Sequence, residues 1–309
     1  MKKIIVSGAS GFLGSALVRN LANSDIKIFA LVSDLSKIDS SNSNIGNIEY
    51  ICINLNCIGD LCNSIKDKDI DVFYHFAWEG SSGKSRSDYK TQVRNIYNVC
   101  ETITAAAKIG CKKFVFAESI MEYEIKKAID LSTDISLSTL YSTSKLASKY
   151  MAKALCQNYS IDYIGALISN VYGPGEKSER LINWTLRKLN NREHCSFSSC
   201  EQLYDFIYID DAVEILKLIG VKGRRNESYY IGNTKQKKLK EFIYDICGVI
   251  FKNNEEWQKL IGIGELNNPT TVLDYNEFDV SKVYNEFGYI PKTSFEEGIF
   301  KTYKYIKGG

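Results

Sequence analysis

The chain has 309 residues, 44% of them hydrophobic and 25% charged, the balance of an ordinary soluble globular protein of one large domain or two coupled ones. A net charge of +2 supplies no field for holding nucleic acid or a membrane surface, so neither partner is expected. No apolar run reaches the roughly 18 residues needed to cross a bilayer.

Met1-Lys2-Lys3 opens like the basic region of a leader, but Ile4-Ile5-Val6 gives way at once to a glycine turn. The expectation is a cytoplasmic protein without a signal peptide. Residues 4–6 read as a short buried strand, and residues 12–21 as a helix through Leu13, Ala16, Leu17 and Leu21. Further strands are expected over residues 26–32, 48–53, 71–76, 113–117 and 163–169. Helices are expected over residues 61–65, 88–109 and 143–159, and the polar tract 40–47 as a surface loop. Strands alternating with helices imply βαβ units and an α/β fold with a doubly wound parallel sheet. Beyond Gly173 the pattern loosens into a smaller mixed region. The expected division is a dinucleotide-binding Rossmann domain over 1–169, regaining a strand near 228–232, and a smaller substrate-binding domain over 170–309. Nine cysteines are scattered without a framework and read as reduced thiols. Cys52, Cys57 and Cys62 recur every five residues and Cys195 adjoins His194, but the short paired spacing of a metal site is missing and none is expected.

Gly8-Ala9-Ser10-Gly11-Phe12-Leu13-Gly14 follows the first strand and opens the first helix, the context in which a glycine run binds a dinucleotide. Gly8 permits the tight turn, Gly11 lets backbone approach the pyrophosphate, and Gly14 allows close packing of helix on strand. Phosphates favour the helix N-terminus, where N–H groups and the dipole meet negative charge. Ser10, Phe12 and Leu13 are assigned to the cofactor with the glycines. At the end of the second strand, where NAD enzymes usually place an acidic residue on the ribose, stand Val32 and Ser33. Ser33 with Lys37 suits a 2′-phosphate and Asp34 opposes one, so NADP(H) is preferred slightly over NAD(H). Asn54 and Leu55 end the third strand, where the adenine edge would lie.

Tyr141 and Lys145 are four apart on a helix and share a face. An ammonium beside a phenol favours the tyrosinate, which makes Tyr141 a usable general acid or base for a carbonyl or alcohol oxygen. Ser119, at the end of the strand Phe114-Val115-Phe116-Ala117, can donate a hydrogen bond to the reacting oxygen.

With these residues in view, the sequence resembles the extended short-chain dehydrogenase/reductases, the group of nucleotide-sugar epimerases, dehydratases and 4-ketoreductases. The resemblance covers nearly the whole chain. It rests on the glycine run, His75-Phe76-Ala77, Asn95, and Ser119 four residues before Tyr123. It continues through Tyr141, Lys145, Asn170-Val171-Tyr172-Gly173-Pro174-Gly175 and Asp205-Phe206-Ile207-Tyr208-Ile209-Asp210-Asp211. It implies that Ser119 and Tyr141 meet the sugar C4 oxygen, and that Lys145 also holds the nicotinamide ribose. It places Phe76, Ala77 and Asn95 against the cofactor, and Asn170 with the loop after it against the nucleotide sugar, to which Trp78 and Asp205 are also assigned. It also implies a homodimer through the two long helices.

The chain departs from the family at several points. Leu167 and Tyr204 stand where arginines are common, so Lys177, Arg180 or Arg187 would have to meet the diphosphate. Glu118 precedes Ser119 where small hydroxyl residues are frequent, and could face solvent or shape the pocket. Ile120 and Met121 follow Ser119 where 4,6-dehydratases of the family carry an Asp-Glu pair, so dehydration lacks its acid and base. The reading is an NAD(P)-dependent reductase of a nucleotide-linked 4-keto-6-deoxy sugar, with deoxysugar biosynthesis as its setting. Trp78-Glu79-Gly80 resembles deoxysugar reductases more than galactose epimerases. A nucleotide-sugar 4-epimerase is the alternative, and a non-catalytic NAD(P) sensor the remote one.

Overall fold

A computed structural model describes residues 1–38, 46–131, 135–252, 255–267 and 273–308. Most of the polar tract expected as a loop, residues 40–45, lies outside the described residues. By its internal contacts the chain divides into two units, Met1–Ile168 with Val213–Tyr229 and Ser169–Ala212 with Tyr230–Gly309.

The first unit is built on a seven-stranded sheet. Its elements in chain order are β1 (Lys3–Ser7), α1 (Phe12–Leu21), β2 (Lys27–Val32), β3 (Ile48–Cys52), α2 (Leu61–Ser64), β4 (Val72–His75), α3 (Tyr89–Lys108), β5 (Lys113–Ser119), α4 (Glu122–Leu131), α5 (Leu140–Asn158) and β6 (Asp162–Ile168). Strand order is β3-β2-β1-β4-β5-β6 with β11 (Ser228–Ile231) outermost, the doubly wound Rossmann order with one added edge strand. The pairs from β3 through to β6 are parallel, and Ile4 of β1 stands beside Ile28 of β2 on one side and Val72 of β4 on the other. A parallel sheet covered on both faces selects unbroken apolar runs rather than alternation, and β1, β2 and β4 read that way. β3, at the sheet edge, keeps only partly buried side chains. On one face, Ile5, Phe29, Phe73, Phe114, Phe116 and Tyr163 pack with Val99 and Ile103 of α3 and Ala152 and Cys156 of α5. Each large side chain buried there contributes about 1.5–3 kcal/mol.

The long helix α3 begins at Asp88, whose carboxylate caps it by accepting from the Thr91 N–H at 2.9 Å. α5 starts three residues earlier than its apolar periodicity suggests. A 3₁₀ turn over Leu137–Thr139 runs straight into it, so Tyr141 lies in its first turn. The ten-residue α4 was not expected. Only Glu122 and Ile125 of it are buried, and a helix so largely solvated leaves little apolar period to read.

Among its described residues the second unit holds three two-stranded pairs. β7 (Asn170–Tyr172) leads to α6 (Leu181–Asn190), β8 (Cys195–Phe197), β9 (Leu203–Tyr204) and β10 (Phe206–Tyr208), and the chain returns to the first unit within α7 (Ile209–Lys222). After β11 come β12 (Lys237–Lys238), α8 (Leu239–Phe251), β13 (Ile261–Ile263), α9 (Lys282–Phe287) and α10 (Phe295–Gly308). β7 pairs with β10 and β8 with β13 in parallel, and β9 pairs with β12 antiparallel. Its aromatic core joins Tyr172, Phe206, Phe242 and Phe295, with ring centroids 4.7–6.3 Å apart. Among the described residues, no helix is long and apolar enough to cross a membrane.

Candidate active site

In an open parallel sheet, ligands bind at the carboxyl ends of the central strands. Those ends are Ser7, His75 and Ser119. Past Ser7, Gly8 turns the chain at φ +69°, a conformation that favours glycine. A Cβ on Gly8 would lie 2.9 Å from the Ala77 nitrogen, and a Cβ on Gly14 would overlap the Gly8 carbonyl at 2.2 Å. Gly11 is the N-cap of α1, and no side chain caps that helix end. The glycines let the turn pack this closely on β4 and on itself, and it presents first-turn N–H groups that no side chain caps, which fits a pyrophosphate. Ser10, Phe12 and Leu13 are partly exposed on the same turn.

The exit of β4 is tied to that turn. Ser7 Oγ and His75 Nδ1 are 2.9 Å apart, and the Ala77 N–H reaches Ser7 Oγ at 3.4 Å. Burial, helped by the Lys145 charge, pushes the His75 imidazole down to about 3, so it is neutral. Phe76 and Ala77 are partly exposed where the strand ends. Residues 78–86 then form a loop that α3 holds from below. Asn95 donates to the Glu79 carbonyl at 2.7 Å and accepts from the Glu79 N–H at 3.1 Å. Gln92 donates to the carbonyls of Gly80 and Ser85, both at 3.0 Å, and accepts from Trp78 Nε1 at 3.2 Å. Asn95 was expected against the cofactor. It is buried and its amide is engaged by the loop backbone, so it sets the position of Trp78.

Trp78 joins this loop to the start of α5. Its ring centre is 3.7 Å from Lys145 Nζ and 6.0 Å from the Tyr141 ring, which it meets edge-on. Lys145 Nζ donates to the Ala117 carbonyl at 2.9 Å and is nearly buried. The Arg86 guanidinium lies 4.1 Å over the Tyr141 ring and also donates to the Ser81 carbonyl at 3.1 Å. Arg86 thus adds a cation against the Tyr141 ring, where sequence reasoning had foreseen only Lys145. Arg86 lies in a glycine- and serine-rich loop with no spacing relation to Tyr141, and only the fold shows its role.

Ser119 ends β5, and its Oγ accepts from the Met121 N–H at 3.2 Å. Ile120 beside it is buried among core residues. Glu118 does not face solvent. Its carboxylate is buried and accepts from Tyr163 at 2.7 Å, Ser228 at 2.9 Å and Lys149 at 2.9 Å. Gly165 leaves the room, since a Cβ there would lie 2.2 Å from Glu118 Oε1. Glu122, also unforeseen, is buried and accepts from the Ser119 N–H at 2.9 Å.

At the end of β2, Ser33 is exposed. Asp34 caps a short turn, its Oδ1 accepting from the Ser36 N–H at 2.9 Å and the Ser36 hydroxyl at 2.8 Å. Those bonds hold its carboxyl below the usual range. Asn54 caps the turn after β3, accepting from the Asn56 N–H, with Leu55 partly exposed beside it.

The residues assigned to the nucleotide sugar beyond Trp78 belong to the second unit. Asn170 donates to the Asp205 carbonyl at 3.0 Å and to the Tyr275 hydroxyl at 3.3 Å. Arg180 is the exposed N-cap of α6, and Lys177 is exposed. Arg187 pairs with Glu179 at 2.6 Å. Asp205 has no exposed surface, and its carboxylate accepts from Tyr230 at 2.6 Å and the Asn233 N–H at 3.1 Å. Burial pushes its carboxyl up to about 7 against both of those bonds. Among the described residues, no group of three or more His, Cys, Asp or Glu is placed to hold a metal.

This combination of glycine cradle, sheet order and Tyr-Lys helix agrees with the family comparison. The model of the NAD dependent epimerase/dehydratase family matches residues 4–232, about three quarters of the chain, and the chain belongs to that family. It is similar to the human dTDP-D-glucose 4,6-dehydratase, 26% identical over 99% of this chain and 90% of that protein. It is 25% identical to the dTDP-glucose 4,6-dehydratase of Haemophilus influenzae, over 99% and 98% of the two chains. Among solved structures, it superposes on dTDP-glucose 4,6-dehydratase of Bacillus anthracis in complex with NAD with a TM-score of 0.80, 22% identity and coverage of 100% and 97%. It superposes on UDP-N-acetylglucosamine 4-epimerase of Methanobrevibacter ruminantium with a TM-score of 0.81, 20% identity and coverage of 99% and 98%.

Proposed function

We propose that the chain reduces the C4 carbonyl of a nucleotide-linked 4-keto-6-deoxy sugar. One observation carries this reading. The hydroxyl, phenol and ammonium needed at a C4 oxygen are kept in Ser119, Tyr141 and Lys145, while the two positions after Ser119 are the apolar Ile120 and Met121. Loss of water from C5 and C6 needs a proton acceptor and a proton donor beside the hydroxyl, and those side chains have neither. The dehydratase relatives therefore support the substrate class, a nucleotide sugar, more than the elimination step.

The glycine cradle and the helix α1 N-terminus fit the pyrophosphate of a dinucleotide, which when bound supplies the hydride. Tyr141 protonates the sugar oxygen as a general acid. Ser119 donates a hydrogen bond to that oxygen and stabilises its developing charge. Arg86, over the Tyr141 ring, offsets the charge left on Tyr141, and Lys145, one helical turn on, is assigned the same role. Trp78 is assigned to the sugar side of the site, with Asn170 and Arg180 as residues for the nucleotide.

For the dinucleotide, NADP(H) is the reading of Ser33 and Lys37. Asp34 is turned into its own Ser36 turn, which weakens its opposition to a 2′-phosphate. Solved neighbours carry NAD, which favours the second reading, 4-epimerisation with a retained cofactor. Exposed Tyr89, Val93 and Tyr97, one turn apart on α3, with Tyr150 and Met151 on α5, support a homodimer through these helices.

The test is incubation with NADPH or NADH and a panel of nucleotide 4-ketosugars, following absorbance at 340 nm. Steady loss of the reduced dinucleotide, faster with NADPH, is the expected result. Conversion of a 4-hydroxy nucleotide sugar to its epimer without added dinucleotide, with NAD found in the purified protein by mass spectrometry, would replace reductase by epimerase.

A further inference from the structure

We propose that Glu122 is a positioning residue for Ser119: its buried carboxylate, anchored by Lys149, holds the Ser119 amide and so fixes the hydroxyl that meets the sugar oxygen. The inference rests on Ser119 being a catalytic hydroxyl, as the proposed function has it.

The geometry is a two-ended grip. Glu122 Oε1 accepts from the Ser119 N–H at 2.9 Å, and Oε2 lies 3.4 Å from Lys149 Nζ. Lys149 Nζ in turn donates to Glu118 Oε2 at 2.9 Å. Glu118 is the residue just before Ser119, so both sides of the catalytic position are tied to one ammonium. The second carboxylate of α4, Glu124, accepts from Ser142 at 2.7 Å, next to Tyr141 in α5. A short helix otherwise facing solvent thus spans from the serine to the helix of the tyrosine. A buried carboxylate pair costs stability, and Glu122 Oε2 has only the ion-pair contact with Lys149 and no hydrogen bond, so what a fold that keeps the pair beside one serine gains is placement of that serine.

The arrangement is also sensitive to protons. Glu122 is faced by Glu118 from β5, by Lys149 and Lys145 from α5, and by Tyr123 on its own helix. Tyr163 of β6 feels the Glu122 charge and hydrogen-bonds Glu118, and Ser228 of β11 donates to Glu118. Burial and the Glu118 charge push the Glu122 carboxyl up to about 7, against the pull of Lys149. Above that pH the carboxylate grips the Ser119 N–H as an anion. Below it the proton weakens the grip, so turnover has an acid limb near neutrality.

Two variants and two measurements test this. Glu122→Gln keeps the shape but cannot serve the Ser119 N–H and the Lys149 ammonium with an acceptor at once. Glu122→Val removes the grip. Hydrogen–deuterium exchange of the peptide carrying Ser119 at pH 8, read by mass spectrometry, should quicken about tenfold or more in Glu122→Val, the scale of losing a hydrogen bond to a charged acceptor. In kinetics with a 4-ketosugar, Glu122→Val should lower kcat by roughly 10- to 100-fold with KM for the dinucleotide unchanged. Glu122→Gln should lose the acid limb near pH 7. Unchanged exchange in Glu122→Val, or an acid limb that survives in Glu122→Gln, overturns the proposal; where the valine variant does not fold, the Glu122→Gln exchange and profile decide. Exchange needs no substrate, so a wild-type protein that reduces no ketosugar removes the proposed function while the exchange still reads the role of Glu122.

Discussion

The Lys145 ammonium lies 3.7 Å from the centre of the Trp78 ring while it donates to the Ala117 carbonyl. A cation desolvated against an indole face gains about 2 kcal/mol. Trp78 is held for this by Gln92, and its backbone neighbour Glu79 by Asn95. Trp78→Ala should therefore weaken dinucleotide binding and lower turnover by about tenfold or more, while Trp78→Phe keeps most of both. A fluorescence titration with NADPH and steady-state rates check this. An alanine variant as active as wild type would separate the indole from the lysine's function.

Tyr141→Phe should lower kcat by at least about 100-fold, the scale of losing a general acid. The ring contacts with Trp78 and Arg86 do not need the hydroxyl, so the circular dichroism spectrum and thermal midpoint should hold. Near-normal turnover would remove Tyr141 from the proton step.

Two glycines give opposite expectations. Gly14→Ala drives a methyl against the Gly8 carbonyl backbone at 2.2 Å and should abolish dinucleotide binding with a lowered melting temperature. Gly248 lies inside α8 with open space where its Cβ would go, so Gly248→Ala should stabilise by roughly 0.5–1 kcal/mol. Calorimetry on both variants, with cofactor titration on the first, reads the contrast.

Asp205 gives a pH dependence with a defined sign. Burial raises its carboxyl to about 7 in the fold, far above the ordinary aspartate range near 4, so the folded chain holds this proton more tightly than the unfolded chain. The stability it contributes is full below about pH 4 and is lost as pH rises through 7. Asp205→Asn, neutral throughout, should flatten the fall in melting temperature between pH 5 and pH 8. A slope as steep in the variant as in the parent would assign it to other groups.

The Rossmann sheet was legible because a parallel strand buried on both faces must be apolar along its length, as Ile4-Ile5-Val6 and Phe73-Tyr74 are. The glycine cradle was legible because Gly8 and Gly14 answer steric demands that no other residue meets. Arg86, Gln92 and Glu122 were not. Their partners Tyr141, Trp78 and Ser119 are joined to them by loop geometry or by a solvated helix, neither of which leaves a period in the sequence. Asp205 was marked for the ligand by a family motif, and the bonds of its carboxylate to Tyr230 and Asn233 were not legible.

The chain passes from one unit to the other after Ile168, after Ala212 and after Tyr229. No single cut therefore separates them. A fragment ending at residue 168 would leave β6, whose central residues Tyr163, Ile164 and Ala166 are fully buried, as a bare apolar edge open to aggregation. Recombination that exchanges one contiguous block between relatives cannot transplant the second unit alone, because residues 213–229 of the first unit travel with it.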